Sequence, residues 1–351
     1  MNAITSGLRT AVAELTPGYF AMVMATGIVS ISSWLMGIKP AAVILFRLNI
    51  ALYAILWLLL LGRIIFYPRH FLADLGDHSR GAGYFTTVAG TCILGTQFVI
   101  LDHALTPALL LLSLGAVLWI FLIYGVFALF TVRVDKPPFE KGINGSWLIA
   151  VVGTQSVSIL SGLLVFELSF PHNGIVFFSL CMFLLGCMLY ILIITLIFYR
   201  FMFFQFRPAD LSHSYWINMG AVAITTLAGT VLIGNAPAYS FLNALLPFIS
   251  GFTIFFWATA TWWIPLLVVL GVWRFIIHRE QIFYDPQYWS VVFPLGMYTT
   301  CTLRLAGAMK LDFLSLISCC FLFAALLGWT LVFLALLHSL AVSLRRPSTP
   351  V

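Results

Sequence analysis

Residues 286–299, PQYWSVVFPLGMYT, resemble four other segments of the same chain. These are PGYFAMVMATGIVS (17–30), AGYFTTVAGTCILG (82–95), NGSWLIAVVGTQSV (144–157) and HSYWINMGAVAITT (213–226). Each begins near an aromatic residue and continues with small residues and hydroxyls. When Tyr19, Tyr84, Ser146, Tyr215 and Tyr288 are taken as equivalent, the steps are 65, 62, 69 and 73 residues. A repeat of this period indicates an array of equivalent helical hairpins.

The composition places these hairpins in a membrane. Of the 351 residues, 62% are hydrophobic and 8% are charged, whereas a soluble domain has about 45–50% apolar and about 25% charged residues. Apolar runs of about 20 residues recur along the whole chain, as in transmembrane helices. The sequence therefore predicts an all-α polytopic membrane protein.

Ten transmembrane helices are predicted, and they form five repeat hairpins in one transmembrane domain spanning 1–351. The predicted spans are approximately 17–37, 41–64, 84–101, 106–132, 146–166, 174–200, 213–234, 242–275, 287–308 and 313–340. The corresponding hairpins are approximately 17–64, 84–132, 146–200, 213–275 and 287–340.

The distribution of basic residues predicts the orientation. With ten spans, 13 Lys and Arg residues fall on one side, and only Lys39, Arg47, Arg304 and Lys310 fall on the other. Cytoplasmic loops carry the excess of Lys and Arg, so both termini are predicted to be cytoplasmic. We expect the membrane to be a bacterial inner (plasma) membrane. The net charge of +6 then indicates topology rather than nucleic acid binding.

The odd-numbered spans differ from the even-numbered ones. The odd spans are rich in small residues and hydroxyls, which let helices approach closely, and the even spans are rich in Leu and Phe, which suit a lipid-facing position. Two architectures fit this contrast. One is an inner ring of five helices inside an outer ring of five, and the other is an ordinary bundle in which the small residues only pack.

An inner ring would surround an axial path. Its candidate lining residues are uncharged: Thr26, Gly27, Gly90, Thr91, Gly95, Gly153, Thr154, Gln155, Thr225 and Thr226. The alternative role for each is helix packing. Arg304 is the candidate for attracting anions toward the non-cytoplasmic mouth, and its alternative role is that of a snorkelling arginine at a helix end.

Carboxylates are missing from the middle of the spans. All 11 acidic residues fall in loops or at span ends, which argues against a cation channel or a proton-coupled pump. No HExxH motif, nucleophile elbow, glycine-rich phosphate loop or paired carboxylates are present. We therefore expect no enzyme activity, no metal and no cofactor.

The segments PGYFAMVMATGIVSI, GINGSWLIAVVGTQSVSILSG and YWSVVFPLGMYT resemble the tellurite-resistance/dicarboxylate transporter (TDT) family over essentially the whole chain. This family includes bacterial TehA proteins, plant slow anion channels, malate permeases and sulfite exporters. The resemblance implies five hairpins in quasi-five-fold symmetry around a central pore, three such protomers in a homotrimer, and small anions as the permeant substrate.

The resemblance also implies a gate. In family members of known structure, a phenylalanine followed by proline plugs the pore, and the matching dipeptide here is Phe293-Pro294. The repeat alignment places Met24, Ala89, Val151 and Gly220 at the same height, so Phe293 is the bulkiest of the five. We expect an anion channel or channel-like transporter. The alternatives are a secondary transporter of a C4-dicarboxylate such as malate, of sulfite or of a related oxyanion, and a non-transporting sensor or scaffold.

Overall fold

In the computed structural model, which describes residues 9, 11–167, 172–281 and 283–345, ten long helices account for most of the chain. They are α1 (Ala21–Leu35), α2 (Lys39–Phe66), α3 (Phe85–Asp102), α4 (Leu105–Val132), α5 (Ile149–Glu167), α6 (Asn173–Phe203), α7 (Ile217–Asn235), α8 (Leu246–Val272), α9 (Trp289–Met309) and α10 (Leu314–Arg345). Short helices Pro68–Leu75, Phe139–Gly142 and Ser240–Ala244 lie between them, and the described residues contain no strand.

Among the described residues, nine of these helices are long and apolar enough to cross a membrane when α1, α3, α5 and α7 are counted with the short turns before them, and α9 is not one of the nine. That helix carries Arg304 and three threonines within 21 residues. Most of its residues are nevertheless buried against protein, where helix contacts replace lipid contacts. The chain is an all-α polytopic integral membrane protein, as the composition predicts.

The odd-numbered helices form a closed inner ring. Around this ring α1 packs against α3, α3 against α5, α5 against α7, α7 against α9, and α9 returns to α1. Within an apolar stretch of 18 residues in each of the segments containing α1, α3, α5 and α7, 78–94% of the residues are buried, compared with 17–50% in the corresponding stretches of the even-numbered helices. Of the two architectures that the sequence leaves open, the structure therefore adopts the inner and outer rings.

Each even-numbered helix packs on the odd helix of its own hairpin and also contacts the odd helix of the next hairpin. An aromatic side chain donates or shares a hydrogen bond with a threonine at four of these five junctions. The pairs are Tyr53–Thr91 (2.9 Å), Trp119–Thr154 (2.8 Å), Trp257–Thr302 (3.0 Å) and Trp329–Thr26 (2.9 Å). At the junction of α6 and α7, the hydroxyl of Tyr190 lies 3.5 Å from the carbonyl oxygen of Asn218.

A short 3₁₀ turn precedes every inner helix. The five turns are Pro17–Phe20, Gly81–Tyr84, Gly145–Leu148, His213–Trp216 and Pro286–Tyr288. Each turn contacts the next, and the last contacts the first. Glycines permit the closest approaches, since a Cβ on Gly145 would lie 2.3 Å from the carbonyl oxygen of Ser214. All five inner helices therefore begin at the same end of the ring.

Buried arginines fix the ends of the outer helices at this same side. Arg63, on α2, forms an ion pair with Asp74 and donates hydrogen bonds to the carbonyl oxygens of Ala13 (2.6 Å) and Leu15 (2.8 Å). Arg200, on α6, donates to the carbonyl oxygen of Ile143 at 2.7 Å. In both hairpins the arginine at the end of the outer helix therefore holds the segment that leads into its own inner helix.

Candidate functional site

Three cavities follow one another along the axis of the inner ring. The vestibule, of about 470 Å³, lies at the N-terminal ends of the inner helices. The neck cavity, of about 10 Å³, comes next, and the far cavity, of about 30 Å³, lies toward the C-terminal ends. Residues of all five inner helices line both the neck cavity and the far cavity.

The far cavity shows which face of each inner helix points to the axis. Every inner helix contributes three residues spaced i, i+3 and i+7, as expected for one face of an α-helix. The three resulting layers are Ile28, Ile93, Ser156, Ile224 and Met297; then Ile31, Thr96, Ile159, Leu227 and Thr300; then Leu35, Ile100, Leu163, Val231 and Arg304.

The layers correct the repeat register by one residue in α5. From Ile28 to Met297 the layer recurs at steps of 65, 63, 68 and 73 residues, whereas the aromatic alignment gives 65, 62, 69 and 73. In the structural register Trp147, rather than Ser146, matches Tyr288. At the height of Phe293, α5 accordingly presents Val152, which lines the neck cavity, rather than Val151.

Phe293 lies on the axis at the smallest of the three cavities. It lines the neck cavity and is 1% exposed, and Met297, one turn later, lines the far cavity. The neighbours of Phe293 in its layer include Met24 and Val152, which also line the neck cavity. A cavity of about 10 Å³ is at the lower limit for one water molecule, so the axial space is nearly closed at this layer.

Pro294 lies beside this layer and packs against α7. A Cβ on Gly220 would lie 2.7 Å from Pro294 Cγ and 3.5 Å from Phe293 Cδ1. Helix α9 continues through the proline without interruption. Since proline has no backbone N–H, it donates no hydrogen bond to the carbonyl of Ser290. The glycine on α7 thus provides the space that the proline ring occupies.

The vestibule is polar and contains one ionisable residue. It is lined by Thr16, Pro17, Gly18, Ser79, Arg80, Gly83, Asn144, Ser146, Ile149, Ser212, Ser214, Pro286, Gln287 and Ser290. Arg80 forms an ion pair with Asp74 at 3.1 Å, through Nε and Oδ1. None of the lining residues is acidic.

A carboxylate just outside the vestibule orders part of its rim. Asp77 Oδ1 accepts hydrogen bonds from the backbone N–H groups of Ser79 (2.8 Å) and Arg80 (3.1 Å). Partial burial raises the pKa of Asp77, but the hydrogen bonds from Ser79 and Arg80 and the charge of Arg133 outweigh that effect and hold the pKa below its usual value. The carboxylate therefore stays ionised and holds Ser79 and Arg80 in place.

The far cavity is apolar except for three hydroxyls and one guanidinium. The hydroxyls of Thr96, Ser156 and Thr300 each donate to a carbonyl of their own helix, at 2.8–3.1 Å. Arg304 lies in the last layer with an exposed side chain. No ion pair or hydrogen bond joins this side chain to another described residue. Its charge is therefore available at the C-terminal mouth of the axis.

The ten candidate lining residues lie elsewhere. None of them is among the residues that line the vestibule, the neck cavity or the far cavity. Thr26, Thr91 and Thr154 hydrogen-bond to aromatic side chains of outer helices. Gln155 donates to the carbonyl of Phe183 on α6 at 3.1 Å, and Thr225 and Thr226 donate to carbonyls of their own helix.

The four glycines in that set provide close contacts between helices. A Cβ on Gly27 would lie 2.5 Å from Ile93, and one on Gly95 would lie 2.6 Å from Leu160. Gly90 faces Val23, and Gly153 faces Val88. The structure thus places these residues in helix–helix contacts. Helix packing is the alternative role that the sequence analysis gives to each of them.

The lining hydroxyls were missed by the pattern of small residues. Thr86, Thr96, Ser156, Ser290 and Thr300 line the cavities, and none of them belongs to the predicted set. A signal for them was present, because Ser290, Met297, Thr300 and Arg304 all lie on the same helical face as Phe293. To find the equivalent residues on the other inner helices, the repeats must be aligned in the correct register.

Among the described residues, no group of three or more His, Cys, Asp or Glu side chains could hold a metal ion. The side chains that line the three cavities offer hydroxyl groups, the guanidiniums of Arg80 and Arg304, the amides of Asn144 and Gln287, and apolar walls. Such an arrangement fits passage of a solute better than tight coordination of one.

Comparison with known proteins identifies relatives over most of the chain. The profile of the SLAC1 family, described as voltage-dependent anion channel, matches residues 14–337. An uncharacterized membrane protein of Mycobacterium tuberculosis is 39% identical over 160 residues, which are 45% of this chain and 80% of that protein. An uncharacterized transporter of Methanocaldococcus jannaschii is 25% identical over 84% of this chain and 86% of its own length. A sulfite efflux pump of Arthroderma benhamiae is 22% identical over 92% of this chain and 90% of its own length.

Proposed function

Because this chain belongs to the SLAC1 family of voltage-dependent anion channels, we propose that it moves small inorganic or organic anions along the axis of its inner ring, with Phe293 occluding the path. The observation that carries this proposal is the position of Phe293 at the smallest axial cavity, between the vestibule and the far cavity. Selectivity arises from the width of the path and from diffuse positive potential rather than from a tight binding cage.

The electrostatics of the axis favour anions. Among the described residues, no Asp or Glu lines any of the three cavities, whereas Arg304 lies at the C-terminal mouth. A positive group at the entrance of a low-dielectric passage raises the local concentration of anions. The hydroxyls of Thr96, Ser156 and Thr300 offer weak polar contacts along an otherwise apolar wall.

The proposal includes the setting of the protein. The protein lies in a bacterial inner membrane with both termini on the cytoplasmic side. The 13 to 4 distribution of basic residues supports this orientation. The vestibule is then the cytoplasmic mouth and Arg304 lies at the opposite one. Three protomers assemble into a homotrimer, and each keeps its own axial path.

The test measures currents in planar bilayers for wild type and Phe293→Ala in chloride, nitrate, sulfite and malate. We expect the anion current of the variant to be at least about tenfold larger than that of wild type, because the ring that α9 places at the neck cavity is removed. Phe183→Ala is the matched control, since Phe183 is 0% exposed but lies on the outer helix α6. An unchanged or cation-selective current in Phe293→Ala contradicts the proposal.

A coupled exporter is the second candidate, and the relative named as a sulfite efflux pump supports it. In this mechanism a C4-dicarboxylate, sulfite or a related oxyanion crosses by alternating access. Wild-type protein in liposomes then gives saturable flux without single-channel steps, and Phe293→Ala gives no increase in current. The same set of measurements distinguishes the two candidates.

A further inference from the structure

A serine at the neck of the vestibule has a hydroxyl without a protein partner. Ser290 is 7% exposed and lines both the vestibule and the neck cavity. Its Oγ forms no hydrogen bond with any described residue, and Ser290 is not among the residues with further interactions. The hydroxyl of this largely buried serine is therefore available to a ligand on the axis.

Among the other described vestibule hydroxyls, that of Thr16 also lacks a protein partner but belongs to a half-buried residue, and the rest have partners. The hydroxyl of Ser146 pairs with Asn144, and those of Ser212 and Ser214 pair with each other at 2.7 Å. Ser290 also lies close to Phe293, three positions before it on the same face of α9, and both residues line the neck cavity. A ligand bound to its hydroxyl would lie against the ring of Phe293.

The surroundings of Ser290 favour negative charge. The five inner helices, of 15 to 21 residues each, all begin at the vestibule. Each helix N-terminus carries about half a unit of positive charge, and this end of a helix binds anions. Among the described residues the vestibule wall includes Arg80 and no acidic residue. Asp74 partly offsets the charge of Arg80, and the carboxylates of Asp77 and Asp285, beside the wall, accept hydrogen bonds from backbone N–H groups.

We infer that the vestibule neck is a binding site for a small oxyanion, with the Ser290 hydroxyl as its direct hydrogen-bond donor, and this rests on the proposed anion path. The vestibule, at about 470 Å³, accommodates a hydrated anion. The neck cavity, at about 10 Å³, does not. An anion therefore stops at Ser290 and contacts Phe293 before the path opens.

The class of ligand follows from the donors. Sulfite and nitrate have several oxygens that can accept hydrogen bonds from the Ser290 hydroxyl and from the side-chain amide of Gln287, which also lines the vestibule. Chloride is a weaker acceptor for such directed donors. The site is therefore expected to bind an oxyanion more tightly than a halide.

The test is equilibrium binding of sulfite, and separately of chloride, to the purified full-length protein by calorimetry. A hydrogen bond to a charged ligand contributes enough that its loss weakens binding by about tenfold or more. We expect that loss of sulfite affinity in Ser290→Ala. Ser290→Thr retains the hydroxyl and is expected to bind sulfite more tightly than Ser290→Ala does. Chloride is expected to bind wild type more weakly than sulfite.

Ser161→Ala is the matched control. Ser161 is 0% exposed and lies on the inner helix α5, but it lines none of the three cavities, and its hydroxyl donates to the carbonyl of Val157 at 2.8 Å. Its removal should leave sulfite binding unchanged. Wild-type affinity in Ser290→Ala, an equal loss in Ser161→Ala, or chloride binding as tight as sulfite binding would each overturn the inference.

The inference and the proposed function fail in different ways. Sulfite binding that depends on Ser290, together with no anion current in wild type or Phe293→Ala, supports the site and contradicts the conduction proposal. Anion currents that increase in Phe293→Ala, together with binding that does not depend on Ser290, support conduction and contradict the site.

Discussion

Gly220 of α7 lies directly against Pro294 of α9, so that a Cβ at position 220 would come within 2.7 Å of Pro294 Cγ. The same Cβ would lie 3.5 Å from Cδ1 of Phe293. The absence of a side chain on one inner helix therefore determines where the neighbouring inner helix can hold its proline and the adjacent aromatic ring.

Gly220→Ala is expected to displace the segment that carries Phe293. The added methyl meets a rigid proline ring, and overpacking of this kind costs about 1–3 kcal/mol. We expect a lower unfolding temperature in detergent and an anion current that differs from wild type. Gly125→Ala, on the outer helix α4, is the control because nothing lies within 4 Å of its added Cβ. If the two variants behave alike, the Gly220–Pro294 contact does not position the gate.

Thr154→Val tests whether the predicted lining threonines pack instead. The hydroxyl of Thr154 accepts from Trp119 Nε1 at 2.8 Å, and valine leaves that buried N–H without a partner at a cost of about 1–3 kcal/mol. We expect a lower unfolding temperature with no change in anion selectivity. Thr226→Val is the control, since Thr226 is equally buried and only donates to the carbonyl of Val222. A change of anion selectivity in Thr154→Val would indicate that Thr154 lines the anion path.

Arg304→Gln is expected to slow anion entry from the C-terminal mouth. In the Phe293→Ala background, loss of this charge should lower chloride flux from that side by about two- to tenfold at low ionic strength. The difference should shrink as salt is raised, because about 0.1 M salt screens charges beyond about 10 Å. Arg47→Gln removes an exposed charge from the outer helix α2 and should leave the flux unchanged. A salt-independent loss in Arg304→Gln indicates a packing role.

Arg63→Gln is expected to weaken the fold at the vestibule side. Arg63 is 3% exposed, and it joins Asp74 to the segment preceding α1 through the carbonyls of Ala13 and Leu15. Breaking a buried ion pair by removal of one partner costs about 3–5 kcal/mol. Unfolding in denaturant should show this loss, whereas Arg69→Gln, at an exposed arginine in the same connection, should show almost none. Equal stability of the two variants would mean that the buried pair contributes nothing.

The hairpin repeat and the identity of the inner helices could be predicted from the sequence, because both depend on the length and the composition of each apolar run. Long apolar runs demand helices in lipid. Small residues and hydroxyls on alternate helices, beside helices rich in Leu and Phe, predict which helices lie inside. The same alignment brought Phe293 to a common height with Met24, Ala89 and Gly220.

The rotation of each helix about its own axis could not be read in that way. In a soluble protein, polar residues identify the outer face of a helix. Here the lipid face, the packing faces and most of the axial face are all apolar, so hydropathy has almost no periodicity to report. The pattern of small residues therefore predicts Gly27 and Thr154 at the axis, whereas the structure places them against neighbouring helices.

By itself, then, the sequence determined the class of the protein, the five repeated hairpins and the position of Phe293 beside a proline in the ninth span. Only the tertiary structure decided which side chains face the axis, shifted the register of α5 by one residue to Val152, and left the hydroxyl of the largely buried Ser290 without a protein partner. The reason is physical. Membrane insertion depends on the composition of each helix taken alone, whereas the face turned toward the axis depends on how every inner helix packs against two neighbours at once.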